Sequence, residues 1–208
     1  RVAIFEKDWQ TAIVRGVRVL GLFEEIGLVP GMASCLEYLG EIHRLAEETE
    51  KAVEIYTKCV ELQRRIGFPA ALAQVNLASI LLAREDFIGA EKLYMLSLDS
   101  LRAMGRRHVE MTAVAGLLAA ACGLERWSSV GELLAEFDDY FEDGLENEPD
   151  IARLLERAGR LAESRGRPSK AEEIYELAIR QLEFLEEDEK AAELREEIDE
   201  LDIFIETR

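Results

Sequence analysis

At 208 residues, 49% of them apolar, the chain is long enough to bury a core of its own and too apolar to be disordered. Three cysteines, four prolines and an aromatic share of 7% exclude a disulfide scaffold, a collagen-like chain and a low-complexity linker, and favour helices over a many-turned β fold. With 25 basic against 43 acidic residues the formal charge is −18, a surface that repels phosphate backbones and anionic headgroups, so neither nucleic acid nor a membrane is expected as a partner.

Apolar periodicity places a single helix over about 5–26, then helix pairs over 31–46 with 50–66, 69–84 with 87–104, 109–123 with 127–144, and 149–165 with 168–186. A last helix is expected over 188–206. Pro30, Pro69 and Pro149 fall at the opening of first helices, where a missing N–H costs nothing, and Pro168 falls in the turn between paired helices. The opening helix carries Ile4, Phe5, Ile13 and Val14 without the partner that should precede it, so further repeats upstream, or a homodimer through this helix, are expected. A start at Arg1 without Met points the same way, to a fragment. The closing helix has Leu194, Ile198, Leu201 and Ile205 on one stripe and acids elsewhere, as expected of a cap that solvates an open end. Charge is uneven along the way: residues 1–130 carry 15 basic and 17 acidic side chains, residues 131–208 carry 10 and 26.

One pattern recurs at spacings of 40, 38, 40 and 41 residues, marked by Ala12, Ala52, Ala90, Val130 and Ala171 near the start of successive second helices. Four residues on stand Gly16, Tyr56, Tyr94, Leu134 and Tyr175, on the same helical face. Twelve residues before the last four anchors lie Gly40, Ala78, Leu118 and Gly159, of which the small ones let two helices approach closely. Fifteen residues after the first three anchors come Gly27, Gly67 and Gly105, each read as a left-handed helix C-cap.

On Leu39-Gly40, Asn76-Leu77-Ala78, Ala158-Gly159 and the Ala-x-x-x-Tyr steps at Ala52/Tyr56, Ala90/Tyr94 and Ala171/Tyr175, the chain resembles a tetratricopeptide repeat array with units of about forty residues. The resemblance covers roughly residues 1–185. It implies an all-α solenoid, a right-handed superhelix of antiparallel helix pairs forming a single repeat domain over 1–208 with a C-terminal capping helix. Leu118 and Val130 depart from the pattern, so looser or rotated packing is expected in the fourth unit.

Chemistry-bearing constellations are scarce. His43 and His108 give no helix-borne zinc spacing, and no phosphate-cradling glycine loop is present, so no catalytic residue, metal or cofactor is expected. His43 takes a core position four residues after Gly40 and is read as packed or hydrogen-bonded, while His108 in the basic turn Arg106-Arg107-His108 is read as solvated. Cys35, Cys59 and Cys122, odd in number and without CxxC spacing, fit reduced thiols in a cytoplasmic protein.

What remains is surface recognition. In arrays of this kind first helices line a concave face, and the resemblance implies a partner surface built unit by unit. It comprises Ser34, Glu37, Tyr38, Glu41 and Arg44 in the second unit, and Leu72, Val75, Asn76, Ser79 and Leu82 in the third. The fourth contributes Thr112, Ala115, Gly116, Ala119 and Cys122, and the fifth Arg153, Glu156, Arg157 and Arg160. The third and fourth units are expected to form an apolar strip of low side chains on which a peptide could lie. Arg153, Arg157 and Arg160, at i, i+4 and i+7, could grip a partner's carboxylate or phosphate, or pair with nearby acids such as Glu156 and Glu163. For Asn76 the resemblance implies a hydrogen bond to a bound peptide backbone, and the residue type alone equally allows an inter-helix bond. The implied function is a scaffold or sensor module that binds a partner protein or peptide, without enzymatic activity, inside a larger cytoplasmic regulator. A small-ligand receptor and a self-assembly segment are the alternatives.

Overall fold

Apolar residues every three or four positions can only be buried together if the backbone coils with a 3.6-residue period, and each such stripe is one helix face in the structure. The computed structural model describes residues 8–142 and 149–206. Among these residues there are ten helices and no strand. They are α1 (Trp9–Glu25), α2 (Val29–Leu45), α3 (Thr49–Arg65), α4 (Ala71–Ala83), α5 (Phe87–Ala103), α6 (Arg107–Gly123), α7 (Trp127–Glu142), α8 (Pro149–Ser164), α9 (Pro168–Phe184) and α10 (Asp188–Glu206). From α2 onward the described ends lie within two residues of the expected spans. Pro168 is a correction: it opens α9 as its first residue, where its fixed φ suits the helix, instead of standing in the preceding turn. Ile4 and Phe5, and the side chain of Ile205, lie outside the described residues.

One turn closes every described junction. The second residue past each helix has positive φ, and the N–H of the next residue reaches back five positions to a carbonyl, as in Leu28 to Phe23, Glu48 to His43, Asp86 to Leu81 and Arg126 to Ala121. This geometry satisfies carbonyls that the helix end leaves without partners. Glycine holds the left-handed position at Gly27, Gly67 and Gly105, as expected, and also at Gly166. Glutamate holds it at Glu47, Glu85, Glu125 and Glu186.

The residues fall into two compact units, one ending at Ile80 and one beginning at Leu81, the division falling inside α4. In the first unit α1 packs on α2 and α2 on α3. Ala33 and Leu36 of α2, Ala52, Tyr56 and Cys59 of α3, and Ala73 and Ile80 of α4 form its central cluster. In the second unit α6 lies against α5, α7 and α8, α9 covers α8, and α10 covers α9. Ala191, Leu194 and Leu201 are the buried side of α10. From Met111 to Gly123 only Thr112 and Leu117 escape full burial. The small side chains of this helix let neighbours close in on it, with the Tyr94 ring against Gly116 and the Phe87 ring against Gly123.

Candidate functional site

In the first unit the repeat tyrosine organises a polar group. Tyr56 is fully buried, and its ring lies against Gly40, where a Cβ would come within 2.6 Å of Cε1. Only a bare backbone at position 40 lets the ring pass so close and carry its hydroxyl to the rim of α2. There the hydroxyl donates to Glu41 Oε2 at 3.1 Å, and the Asn76 side chain on α4 hydrogen-bonds the same tyrosine. Arg44 grips Glu41 with both ends of its fork, Nε to Oε2 at 2.8 Å and Nη2 to Oε1 at 2.7 Å. Burial, and then the negative charge of Glu41, push the Tyr56 hydroxyl well above the usual tyrosine range, so it stays a donor. Glu41, Arg44 and Asn76 are thus held together, half-exposed, by a residue that the sequence marks only as a repeat position on the anchor face of its helix.

Neighbouring groups are fixed in the same manner. Burial raises the Glu37 carboxyl, which accepts from Gln63 Nε2 at 3.0 Å. Ser79 donates to Val75 O at 3.1 Å, and Tyr38 packs against the cluster of Ala12 and Ile42. His43 is buried with Nδ1 2.5 Å from Glu48 Oε2. The thiols are inert: burial pushes Cys59, and in the second unit Cys122, up to about 12. Among the described residues no group of three or more His, Cys, Asp and Glu is placed to hold a metal ion. No helix among them is long and apolar enough to cross a membrane.

In the second unit each arginine of the α8 row already has a partner. Arg153 Nη2 is 2.8 Å from Asp150 Oδ1, and Arg160 Nη2 is 2.8 Å from Glu156 Oε1 and 3.4 Å from Glu197 Oε1 on α10. Arg157 Nη2 donates to Leu82 O at 2.8 Å, adding to the turn bond that this carbonyl in the last turn of α4 accepts from Glu85 N at 3.0 Å. Glu163 serves elsewhere, accepting from Tyr175 at 3.2 Å. A second carboxylate cluster escaped sequence reading. Glu110, 2% exposed, accepts from Tyr140 at 2.9 Å, Arg102 Nε at 3.1 Å and Arg107 Nη1 at 3.3 Å. Its only sequence signal is an acid followed directly by the apolar run of α6. His108, two residues earlier, is exposed.

The expected apolar strip is corrected by burial. Val75 is 3% exposed, Leu82 1%, and Ala115, Ala119 and Cys122 0%. Small apolar side chains that would make a low groove floor also leave room for helices, and in α6 the space is filled by α5, α7 and α8.

Residues 35–65 match the tetratricopeptide repeat family. No curated protein matches the chain. Among solved structures it is similar to the nearly identical TPR-like repeats of a kinesin light chain from Podosopora anserina, at 17% identity and a TM-score of 0.63, over 88% of this chain and 92% of that one. It is also similar to BtubC (BKLC) from P. vanneervenii, at 13% identity and a TM-score of 0.58, over 96% and 93% of the two chains. A Rap protein complexed with competence and sporulation factor matches at 15% identity and a TM-score of 0.60, over 97% of this chain but only 61% of that one. At such identities the likeness is one of fold: the chain is an all-helical array of tetratricopeptide-like repeats.

Proposed function

We propose that the chain is a protein-interaction module and not an enzyme, holding a partner peptide against its first-helix faces through polar groups that the repeat core positions in advance. The observation that carries this reading is the Tyr56 network. Glu41, Arg44 and Asn76 are half-exposed yet fixed by hydrogen bonds to one another or to a buried hydroxyl, so a partner meets them with little rotamer entropy left to lose. The Asn76 amide uses one group on Tyr56 and keeps donor and acceptor capacity suited to a peptide backbone. Ser79, one turn along α4, and Tyr38 on α2 extend the contact. In the second unit Arg153 and Arg160, with side chains 62% and 58% exposed, can trade their present acids for a partner's carboxylate. Exposed ion pairs are worth only ~0–1 kcal/mol, so the exchange is cheap. Within the second unit Arg157 holds the end of α4 through Leu82 O, and the buried Leu82, Ala115 and Ala119 back the helices there; Val75 plays the same part within the first unit. A solved complex of a Rap protein of this fold with competence and sporulation factor agrees with a partner-binding role.

The test is selection of a random peptide library on the immobilised chain, followed by calorimetric titration of the enriched peptides against Asn76→Ala and Glu41→Ala. Affinity should fall by about tenfold or more in each, with helical circular dichroism unchanged. Failure to enrich any peptide, or affinity indifferent to both substitutions, would overturn the reading.

A further inference from the structure

We infer that the outward face of α5 is a self-association surface, pairing antiparallel with α5 of a second copy of this chain. The reason is a departure from the repeat. Within the second unit, the positions two before each anchor and two, five and nine after it face solvent in every second helix. In α7 they hold Ser128, Glu132, Ala135 and Asp139, and in α9 Ser169, Glu173, Glu176 and Arg180, all exposed. In α5 they hold Ile88, Lys92, Met95 and Asp99, with Ile88 67% and Met95 58% exposed. Leu96 widens the strip and is 53% exposed. Ile88 and Met95 thus stand in water at positions whose counterparts are polar or alanine. Because α5 is an internal helix, their exposure belongs to the repeat position and not to a chain end.

Charge selects the occupant. Lys92 and Asp99 lie on the same strip, about 10 Å apart along the axis and too far to pair with each other, and among the described residues neither has an ion pair. In an antiparallel crossing whose two-fold axis passes between Met95 and Leu96, Lys92 of each copy meets Asp99 of the other, Met95 meets Leu96, and Ile88 meets the small, exposed Ala103. A parallel crossing would set like charge against like. This helix is also where so acidic a chain can approach its own copy: residues 84–107 carry 5 basic and 4 acidic side chains, against 11 and 28 over residues 108–208.

Sedimentation equilibrium of the chain from about 1 to about 200 µM tests the pairing. A monomer–dimer equilibrium is expected, with Met95→Glu, at an exposed position, returning a monomer of unchanged helicity. Lys92→Asp should weaken the dimer by about tenfold, and the added Asp99→Lys should restore it. A wild-type monomer throughout would leave the strip to some other protein and overturn the inference. So would a dimer indifferent to Met95→Glu, or a charge swap that fails to restore association.

Discussion

The Tyr56 ring occupies the space that a side chain on Gly40 would need, with Cε1 2.6 Å from the position of a Cβ there. Tyr175 covers Gly159 in the same way, so the contact is a repeated device for seating one helix of a pair on the other.

Glycine inside a helix costs about 0.5–1 kcal/mol relative to alanine, so Gly40→Ala gains that much in propensity. Against it stands overpacking of about 1–3 kcal/mol onto a buried ring. The packing penalty wins, and a net loss of about 1–2 kcal/mol is expected in urea denaturation. Gly21→Ala, where an added Cβ meets nothing within 4 Å, should instead raise stability by up to about 1 kcal/mol. Equal signs for the two substitutions would refute the account.

The shared turn makes a paired prediction in the second unit. Glu85 has φ +62°, a left-handed conformation that costs a residue with a Cβ roughly 1 kcal/mol, and no contact of its side chain compensates that cost among the described ones. Glu85→Gly should therefore raise the melting temperature. Gly105→Ala, at the same φ of +62°, should lower it by a similar amount. Differential scanning calorimetry of both variants decides the matter.

Glu110 ties α5, α6 and α7 through Arg102, Arg107 and Tyr140, and Arg107 also lies 4.5 Å from the Tyr140 ring centroid. Glu110→Ala leaves the buried Tyr140 hydroxyl without its acceptor, while Arg102 keeps Glu136 at 3.0 Å, and a loss of about 1–3 kcal/mol is expected. A loss under about 1 kcal/mol would mean that water replaces the carboxylate freely.

Glu37 supplies a pH dependence. Burial raises its carboxyl in the folded chain above the unfolded value, so ionisation opposes folding. Its stabilising protonated form is fully present below the unfolded value and is lost as pH rises through the folded one. Glu37→Gln, which still can accept from Gln63, should melt higher than wild type at pH 7 and match it below about pH 4. A pH-independent difference would show that packing, not charge, is responsible.

Helix spans, helix-end glycines and the unit register were legible in the chain because they are local: a 3.6-residue apolar period, proline in the first turn, and glycine where φ turns positive all act within a few residues. Ala12, Ala52, Ala90, Val130 and Ala171, aligned from spacing alone, are all buried. Glu47, Glu85, Glu125 and Glu186 in left-handed positions were not legible, since glutamate carries no preference that announces such a turn.

Which face stays wet was decided only by tertiary structure. Ala115 and Ala119 read equally well as the floor of a groove or as room for another helix, because a small apolar side chain specifies closeness without naming the neighbour. Arg157 finds its acceptor 75 residues away in Leu82 O, a backbone carbonyl, and every residue has one. Asn76, Glu41 and Arg44 come together through the Tyr56 hydroxyl only once α2, α3 and α4 have packed. Periodicity sets what each helix must bury; the close packing of helix on helix sets what is left for a partner to touch.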